Sequence, residues 1–113
     1  MVKYRRRIEI IADILSSAAG GATKKTRIMY AANLSYSLLE KYLAESISLN
    51  LLRLSSNGYE VTEKGIVFLE KYEHFTSRFS KIQKEMQTAI SERKELEDMC
   101  SSQVNSDAKV KRR

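Results

Sequence analysis

The sequence predicts a mainly α-helical chain that contains one small β-hairpin and ends in one long helix. Three observations support this fold class. The 113 residues include no proline, so no imino acid interrupts a long helix. From residue 8 to 47, apolar residues recur every three or four positions, which is the period of amphipathic helices. From residue 68 to 100, one seam of positions alternates four- and three-residue steps, which is typical of a coiled coil.

The first predicted helix spans Tyr4 to Ala19. Its apolar residues fall on one face, and we expect this face to be buried. These residues are Ile8, Ile11, Ile14, Leu15 and Ala18. We expect Gly20-Gly21 to end the helix, because glycine readily adopts the left-handed conformation that follows many helix C-termini.

Two further helices are predicted after short connections. The second extends from residue 24 or 25 to Ala32, with Ile28 and Met29 turned inward. The third runs from Ser35, whose hydroxyl is placed to cap its first turn, to about Ser48. Its buried stripe is predicted to comprise Leu38, Leu39, Tyr42, Leu43 and Ile47. Two helices joined by so tight a turn form a helix-turn-helix.

Residues 50–62 change to an alternating pattern, with apolar positions separated by polar ones. Asn57-Gly58 lies between the two alternating runs, and this dipeptide is a strong hairpin signal. Both residue types tolerate the positive φ angles of a type I′ turn, so we predict that turn here. A β-hairpin directly after a helix-turn-helix is a wing.

The long helix is predicted from Glu63 to about Cys100, capped by Thr62 and weakened locally by Gly65. A helix of about 37 residues is roughly 55 Å long, which exceeds what a domain of this size can bury. The seam therefore predicts a coiled-coil homodimer, and the alternative is a helix that folds back on its own domain. The predicted dimerisation residues are Phe68, Tyr72, Phe75, Phe79, Ile82, Met86, Ala89 and Leu96.

Strand orientation stays open at this level. Cys100 occupies an a position of the seam, so two copies of Cys100 would meet in a parallel pair and lie far apart in an antiparallel one. The sequence does not explain Arg93, which also falls in the seam.

The positive charge is concentrated at the two ends of the chain. The formal net charge is +6, and residues 1–27 carry +5 of it while residues 101–113 carry +3. The segments 28–62 and 63–100 each carry −1. Such clustering favours a polyanionic partner over charge spread for solubility.

Composition and motifs exclude several classes of protein. No apolar run reaches the roughly 20 residues that span a bilayer, and the basic N-terminus lacks a signal-peptide cleavage pattern. A single cysteine and a single histidine favour neither a disulfide framework nor a metal site, and no nucleophile has a base beside it. We expect a cytoplasmic protein that is not an enzyme and has no metal, cofactor, small-molecule ligand or membrane partner.

Two stretches resemble a known family. They are KTRIMYAANLSYSLLEKYL, from Lys25 to Leu43, and YEVTEKGIVFLEKY, from Tyr59 to Tyr72. Over roughly residues 5–90 the chain is similar to the small archaeal chromatin-associated winged-helix proteins of about ten kilodaltons. The resemblance implies a winged helix-turn-helix followed by a C-terminal helix that dimerises as an antiparallel coiled coil. It also implies binding to double-stranded DNA with little sequence preference.

The candidate DNA-binding residues lie at the start of the chain, on the second and third helices, and on the wing. In a winged helix the third helix enters the major groove with its N-terminal residues foremost. Its leading turn offers hydroxyls but no Arg, Asn or Gln for bidentate base readout, so it is better suited to docking than to reading. The candidates are Arg5, Arg6, Arg7, Lys24, Lys25, Arg27, Ser35, Tyr36, Ser37, Lys41, Arg53, Asn57 and Tyr59.

The predicted organisation has three parts. Residues 1–62 form the DNA-binding domain, residues 63–100 the dimerisation helix and residues 101–113 a disordered basic tail. Two other functions remain open, a site-specific transcription regulator and a protein-interaction module. Glu40 and Glu45 on the third helix favour the second of these, while the basic clusters oppose it.

Overall fold

The computed structural model describes residues 5–101, in which four helices and two strands follow one another along the chain. Helix α1 spans Arg7–Ser17, α2 Lys25–Ala32, α3 Tyr36–Ser48 and α4 Glu63–Ser101. Strands β1, Leu52–Ser55, and β2, Gly58–Val61, form an antiparallel hairpin between α3 and α4. This arrangement confirms the predicted fold class. The predicted tail, residues 101–113, lies outside the described residues except for Ser101.

Helix α1 is shorter than predicted at both ends. Arg6 is its N-cap residue, and the Arg6 backbone N–H donates to the Glu9 carboxylate at 2.7 Å. The helix ends before the glycine pair, with Ala18 as the C-cap residue. Ile8, predicted to be buried, is 43% exposed. It lies in the first turn of the helix, one turn before the buried Ile11.

The helix-turn-helix forms as predicted, with three residues between α2 and α3. Asn33 adopts the left-handed conformation (φ 54°), which ends α2 and turns the chain toward α3. Ser35 caps α3, and its hydroxyl accepts from the Leu38 N–H at 3.3 Å. Leu38 and Ile47, predicted to be buried, are about 40% exposed. The buried stripe of α3 is narrower than predicted: Leu39, Leu43 and Ser46 are buried, and Tyr42 packs half-buried against the core.

The core is built where α1, α2 and α3 meet the first strand. Its largest fully buried apolar side chains are Ile14, Leu15, Ile28, Leu39 and Leu52. The Ser46 hydroxyl is also fully buried and has no hydrogen-bond partner among the described residues. The three short helices and the hairpin therefore share one apolar centre, and the outer faces of α2 and α3 remain exposed.

The wing is a hairpin with Leu52 opposite Val61 and Ser55 opposite Gly58. The predicted type I′ turn is wrong, because neither Ser56 nor Asn57 takes the positive φ that this turn requires. The positive φ (135°) falls instead on Gly58, the first residue of β2. A Cβ on Gly58 would lie 2.7 Å from the Thr23 carbonyl oxygen. Thr23 and Tyr59 exchange two backbone hydrogen bonds there, at 2.8 and 2.9 Å, which fasten the wing to the start of α2.

Helix α4 begins in a close contact with the end of α3. The Thr62 hydroxyl accepts from the Gly65 N–H at 3.0 Å, as predicted for a cap, and donates to the Asn50 carbonyl at 2.7 Å. Gly65 is buried, and a Cβ on it would lie 2.2 Å from the Leu51 carbonyl oxygen. The sequence suggested a weak spot in the helix, whereas the structure shows a position at which only glycine fits.

Gly65→Ala is expected to lower the free energy of unfolding by about 1–3 kcal/mol, because overpacking a closed contact forces the backbone to shift. Thermal or urea unfolding followed by circular dichroism measures the change. Gly20→Ala is the matched control, since a Cβ on Gly20 has nothing within 4 Å. Equal stability of the two variants would contradict the close contact at Gly65.

The chain divides into two compact units, one that ends at His74 and one that begins at Phe75. In the first unit, Phe68 and Leu69 of α4 pack against the core. In the second, α4 presents Phe75, Phe79, Ile82 and Met86 to solvent, each 50–57% exposed. The division into a DNA-binding domain and a dimerisation helix remains a prediction, as does the dimer.

Candidate nucleic-acid interface

The basic side chains predicted to contact DNA fall into two sets. Four of them form ion pairs with acids, namely Arg5, Arg7, Lys25 and Arg53. The other four, Arg6, Lys24, Arg27 and Lys41, are exposed and form no ion pair within residues 5–101. Half of the cations predicted to contact DNA are therefore already paired with an acid, and the other half are not.

Arg5 is occupied by three contacts that join α1 to the end of α2. Its guanidinium donates to the Asp13 carboxylate at 2.5 Å and to the carbonyl oxygens of Ala32 and Asn33, each at 2.9 Å. These carbonyls lie at the C-terminus of α2, where helix carbonyls lack intrahelical partners. The contacts give Arg5 a structural role, and its predicted contact with DNA would have to replace them.

Arg7 and Arg53 are paired across different elements. Arg7 Nε donates to the Glu45 carboxylate at 2.6 Å, and this hydrogen bond is the first cause of the raised pKa of Arg7. Arg53 Nε donates to the Glu60 carboxylate at 3.1 Å, directly across the wing. The charge of Glu45, one of the two acids on α3, is therefore offset by Arg7 of α1.

Glu40, the other acid on α3, is held by two neighbours. Lys25 Nζ lies 2.5 Å from a Glu40 carboxylate oxygen, and 5.6 Å from the centroid of the Tyr36 ring. Hydrogen bonds from Lys25 first, and from Tyr36 second, lower the pKa of Glu40. The pKa of Tyr36 is raised, chiefly by its hydrogen bond to the same carboxylate. Glu40 is therefore ionised at neutral pH, and its charge offsets that of Lys25.

The unpaired cations Lys24 and Arg27 line a shallow recess of about 540 Å³ at the N-terminus of α2. The other lining residues are Ser17, Gly20, Gly21, Ala22, Thr23 and Thr26, none of which is acidic. Backbone N–H groups at a helix N-terminus carry partial positive charge. Two free cations, the helix N-terminus and the absence of acid in the lining suit a phosphate oxygen.

The leading edge of α3 is exposed, as docking in a groove would need. Tyr36 is 60% exposed, so it is not a half-buried packing residue. Ser37 and Lys41 are also exposed, and Lys41 Nζ lies 5.2 Å from the Tyr42 ring centroid. Ser35 is exposed too, with its hydroxyl engaged as the cap.

The wing has fewer side chains available to contact DNA than predicted. Asn57 is exposed at its tip, whereas Tyr59 is half-buried and packs against the core. Sequence reasoning also missed Tyr30, which is 77% exposed and lies one turn after Arg27 on α2. The helical period could have revealed it, because Ile28 and Ala32 on the same helix are buried.

Comparison with known proteins adds an independent line of evidence. A family model described as winged helix-turn-helix matches residues 4–80. The chain belongs to the winged helix-turn-helix family. Two proteins of Methanocaldococcus jannaschii are similar to it. Uncharacterized protein MJ0290 is 38% identical over 69 residues, 61% of this chain and 33% of that protein. Uncharacterized protein MJ0287 is 39% identical over 64 residues, 56% of this chain and 66% of that protein.

The chain thus spans a third of MJ0290 and slightly less than two thirds of MJ0287. Among solved structures it resembles Sso10a-2, a DNA-binding protein from Sulfolobus solfataricus, with 29% identity and a TM-score of 0.63. That match covers 81% of this chain and 96% of Sso10a-2. The resemblance to small archaeal winged-helix proteins, predicted from the residues between Lys25 and Tyr72, is confirmed.

Two further observations concern the described part of the chain. Within residues 5–101, no group of three His, Cys, Asp or Glu side chains is placed to hold a metal ion. None of the four helices there combines the length and the apolar character that crossing a bilayer requires.

Proposed function

We propose that the protein binds double-stranded DNA with little dependence on base sequence and acts in chromosome organisation or transcription. The observation that carries the proposal is the set of unpaired cations, Lys24, Arg27 and Lys41, on the exposed faces of a helix-turn-helix. The likeness to Sso10a-2, itself described as DNA-binding, supports it. A nucleoid-associated, cytoplasmic location follows from this proposal.

The phosphate contacts are assigned to the unpaired cations. Lys24 and Arg27 would each receive one backbone phosphate at the N-terminus of α2, and Lys41 would reach a third from α3. Tyr36 and Ser37 would enter the major groove, where their hydroxyls bond phosphate or base without selecting one base. Asn57 would touch the DNA from the tip of the wing. Such contacts position the protein and carry little sequence information.

A fluorescence anisotropy titration with one labelled duplex at several salt concentrations tests the binding. The logarithm of the affinity should fall linearly with the logarithm of the salt concentration, with a slope of about −0.9 for each phosphate neutralised. Three such contacts would weaken binding about fortyfold between 50 and 200 mM salt. No binding at the lowest salt concentration would overturn the proposal.

We also propose that a second copy of the chain covers the exposed seam of α4, in the antiparallel orientation. The g positions of the heptads, which immediately precede the a positions of the seam, carry charges whose sign changes along the helix. Lys71 and Arg78 occupy them in the first half, Glu85 and Glu92 in the second, and all four side chains are exposed. In an antiparallel coiled coil the g positions of the two helices face each other, so the basic half of one copy meets the acidic half of the other.

One register satisfies all four charges. It places Arg78 opposite Glu85 of the second copy and Lys71 opposite Glu92 of the second copy, each pair occurring twice. A shift of one heptad in one direction brings Glu85 opposite Glu85 of the second copy. A shift in the other direction brings Arg78 opposite Arg78 of the second copy. In the unshifted register, Phe79 of one copy packs on Ile82 of the second copy. Phe75 packs on Met86 and Tyr72 on Ala89 in the same way. This register also places Arg93 beside Phe68 of the second copy, where a cation–π contact with the part of the ring that the core leaves uncovered would accommodate a cation in the seam.

The parallel orientation lacks this complementarity. There each g position faces the e position of the following heptad. The facing pairs would be Lys71 with Thr76, Arg78 with Gln83, Glu85 with Ile90, and Glu92 with Glu97. None of these pairs joins opposite charges, and the last joins two acids. A parallel pair would also bring the two exposed Cys100 thiols together, so efficient oxidative cross-linking through Cys100 would contradict the antiparallel dimer.

A further inference from the structure

One acid lies within the basic face of the helix-turn-helix. Glu40 is on α3, one turn after Tyr36, and its carboxylate takes the ammonium of Lys25 from the first turn of α2. We call Lys25, Tyr36 and Glu40 the α2–α3 charge cluster. Lys25 is the residue between Lys24 and Thr26, which both line the recess, yet Lys25 itself does not line it.

The cluster holds the Lys25 ammonium at a fixed place. The carboxylate oxygen lies 2.5 Å from Nζ, and the Tyr36 ring lies 5.6 Å from it on the same side of α3. The Glu40 carboxylate and the Tyr36 ring therefore both restrain the Lys25 ammonium. The side chains of Lys25 and Glu40 are 35% and 43% exposed, so a phosphate oxygen can approach the ammonium. A phosphate that does so competes with Glu40 for the single positive charge of Lys25.

We propose that Glu40 competes with DNA phosphate for Lys25, and so sets the affinity of the helix-turn-helix below the value that its basic residues would otherwise give. This inference rests on the proposed function. Lys25 and the anion form the same type of charge-assisted hydrogen bond whether the anion is carboxylate or phosphate. In the unsubstituted protein Lys25 then contributes little to binding, and removal of Glu40 releases it as one additional phosphate contact.

A double-mutant cycle separates this mechanism from simple repulsion between Glu40 and DNA. The four proteins are the unsubstituted chain, Lys25→Gln, Glu40→Gln and the double variant, titrated with one duplex at several salt concentrations. Glu40→Gln should strengthen binding about eightfold at 0.1 M salt and steepen the salt slope by about 0.9, since one more phosphate is neutralised. Lys25→Gln alone should change the affinity less than twofold, and in the Glu40→Gln background it should cancel the gain.

Glu70→Gln is the matched control, because Glu70 is an exposed acid on α4 outside the cluster. It removes the same charge and should leave the affinity and the slope unchanged. An equal gain from Glu40→Gln with and without Lys25 would overturn the inference, because repulsion alone would explain it. Failure of both the unsubstituted protein and Glu40→Gln to bind at the lowest salt would instead overturn the proposed function together with this inference.

Discussion

Lys71→Glu/Arg78→Glu is expected to weaken self-association about a hundredfold, since each of four facing pairs changes from attractive to repulsive at about 0.7 kcal/mol. Both side chains are exposed, and neither forms an ion pair within residues 5–101, so the helix itself should remain folded. Sedimentation velocity over a range of micromolar concentrations measures the change. Far-ultraviolet circular dichroism verifies that α4 persists.

Two further variants make the dimer test specific. Lys81→Glu/Lys84→Glu changes charge equally on the same helix but away from the seam and its flanks, and it should leave the dimer intact. Adding Glu85→Arg and Glu92→Lys to the first variant recreates all four pairs with reversed polarity, and it should restore association. Loss of the dimer in the control, or no restoration by the swap, would contradict the antiparallel register.

Lys24→Gln/Arg27→Gln is expected to weaken DNA binding on the order of fiftyfold at 0.1 M salt and to reduce the salt slope by about 1.8, since two phosphate contacts are lost. The two side chains are exposed, and within residues 5–101 they form no hydrogen bond or ion pair. The stability of the variant should therefore match that of the unsubstituted chain.

Lys81→Gln/Lys84→Gln is the control for the DNA experiment, because it removes two positive charges from exposed positions of α4. Its affinity should fall by less than threefold. If the control weakens binding as strongly as Lys24→Gln/Arg27→Gln, the surface at the start of α2 is not the site of phosphate contact.

Local features of the chain were predictable from sequence because short-range rules decide them. Ser35 and Thr62 cap their helices as expected, and Asn33 turns the chain between α2 and α3. The period of α4 follows from residues a few positions apart. The narrow buried stripe of α3 did not follow, because it depends on which neighbouring elements reach Leu38 and Ile47.

Contacts between distant residues could not be predicted. The close approach of Gly65 to the Leu51 carbonyl depends on how the wing returns the chain to the end of α3. In the candidate site, the positions of the cations were predictable from the sequence. Whether each cation forms an ion pair was not. Arg7 pairs with an acid 38 residues away, while Arg27 pairs with none of the described residues. Helical and strand periods carry no information on such pairings.

The central claim is that free cations on the helix-turn-helix bind duplex DNA through its phosphates. It is tested most directly by fluorescence anisotropy with two unrelated duplexes of equal length, titrated in parallel at several salt concentrations. We expect affinities within a few-fold of each other and the same steep salt slope for both duplexes. A large preference for one duplex would contradict the claim in favour of a site-specific regulator. Absence of binding to both at low salt would contradict it in favour of a protein partner.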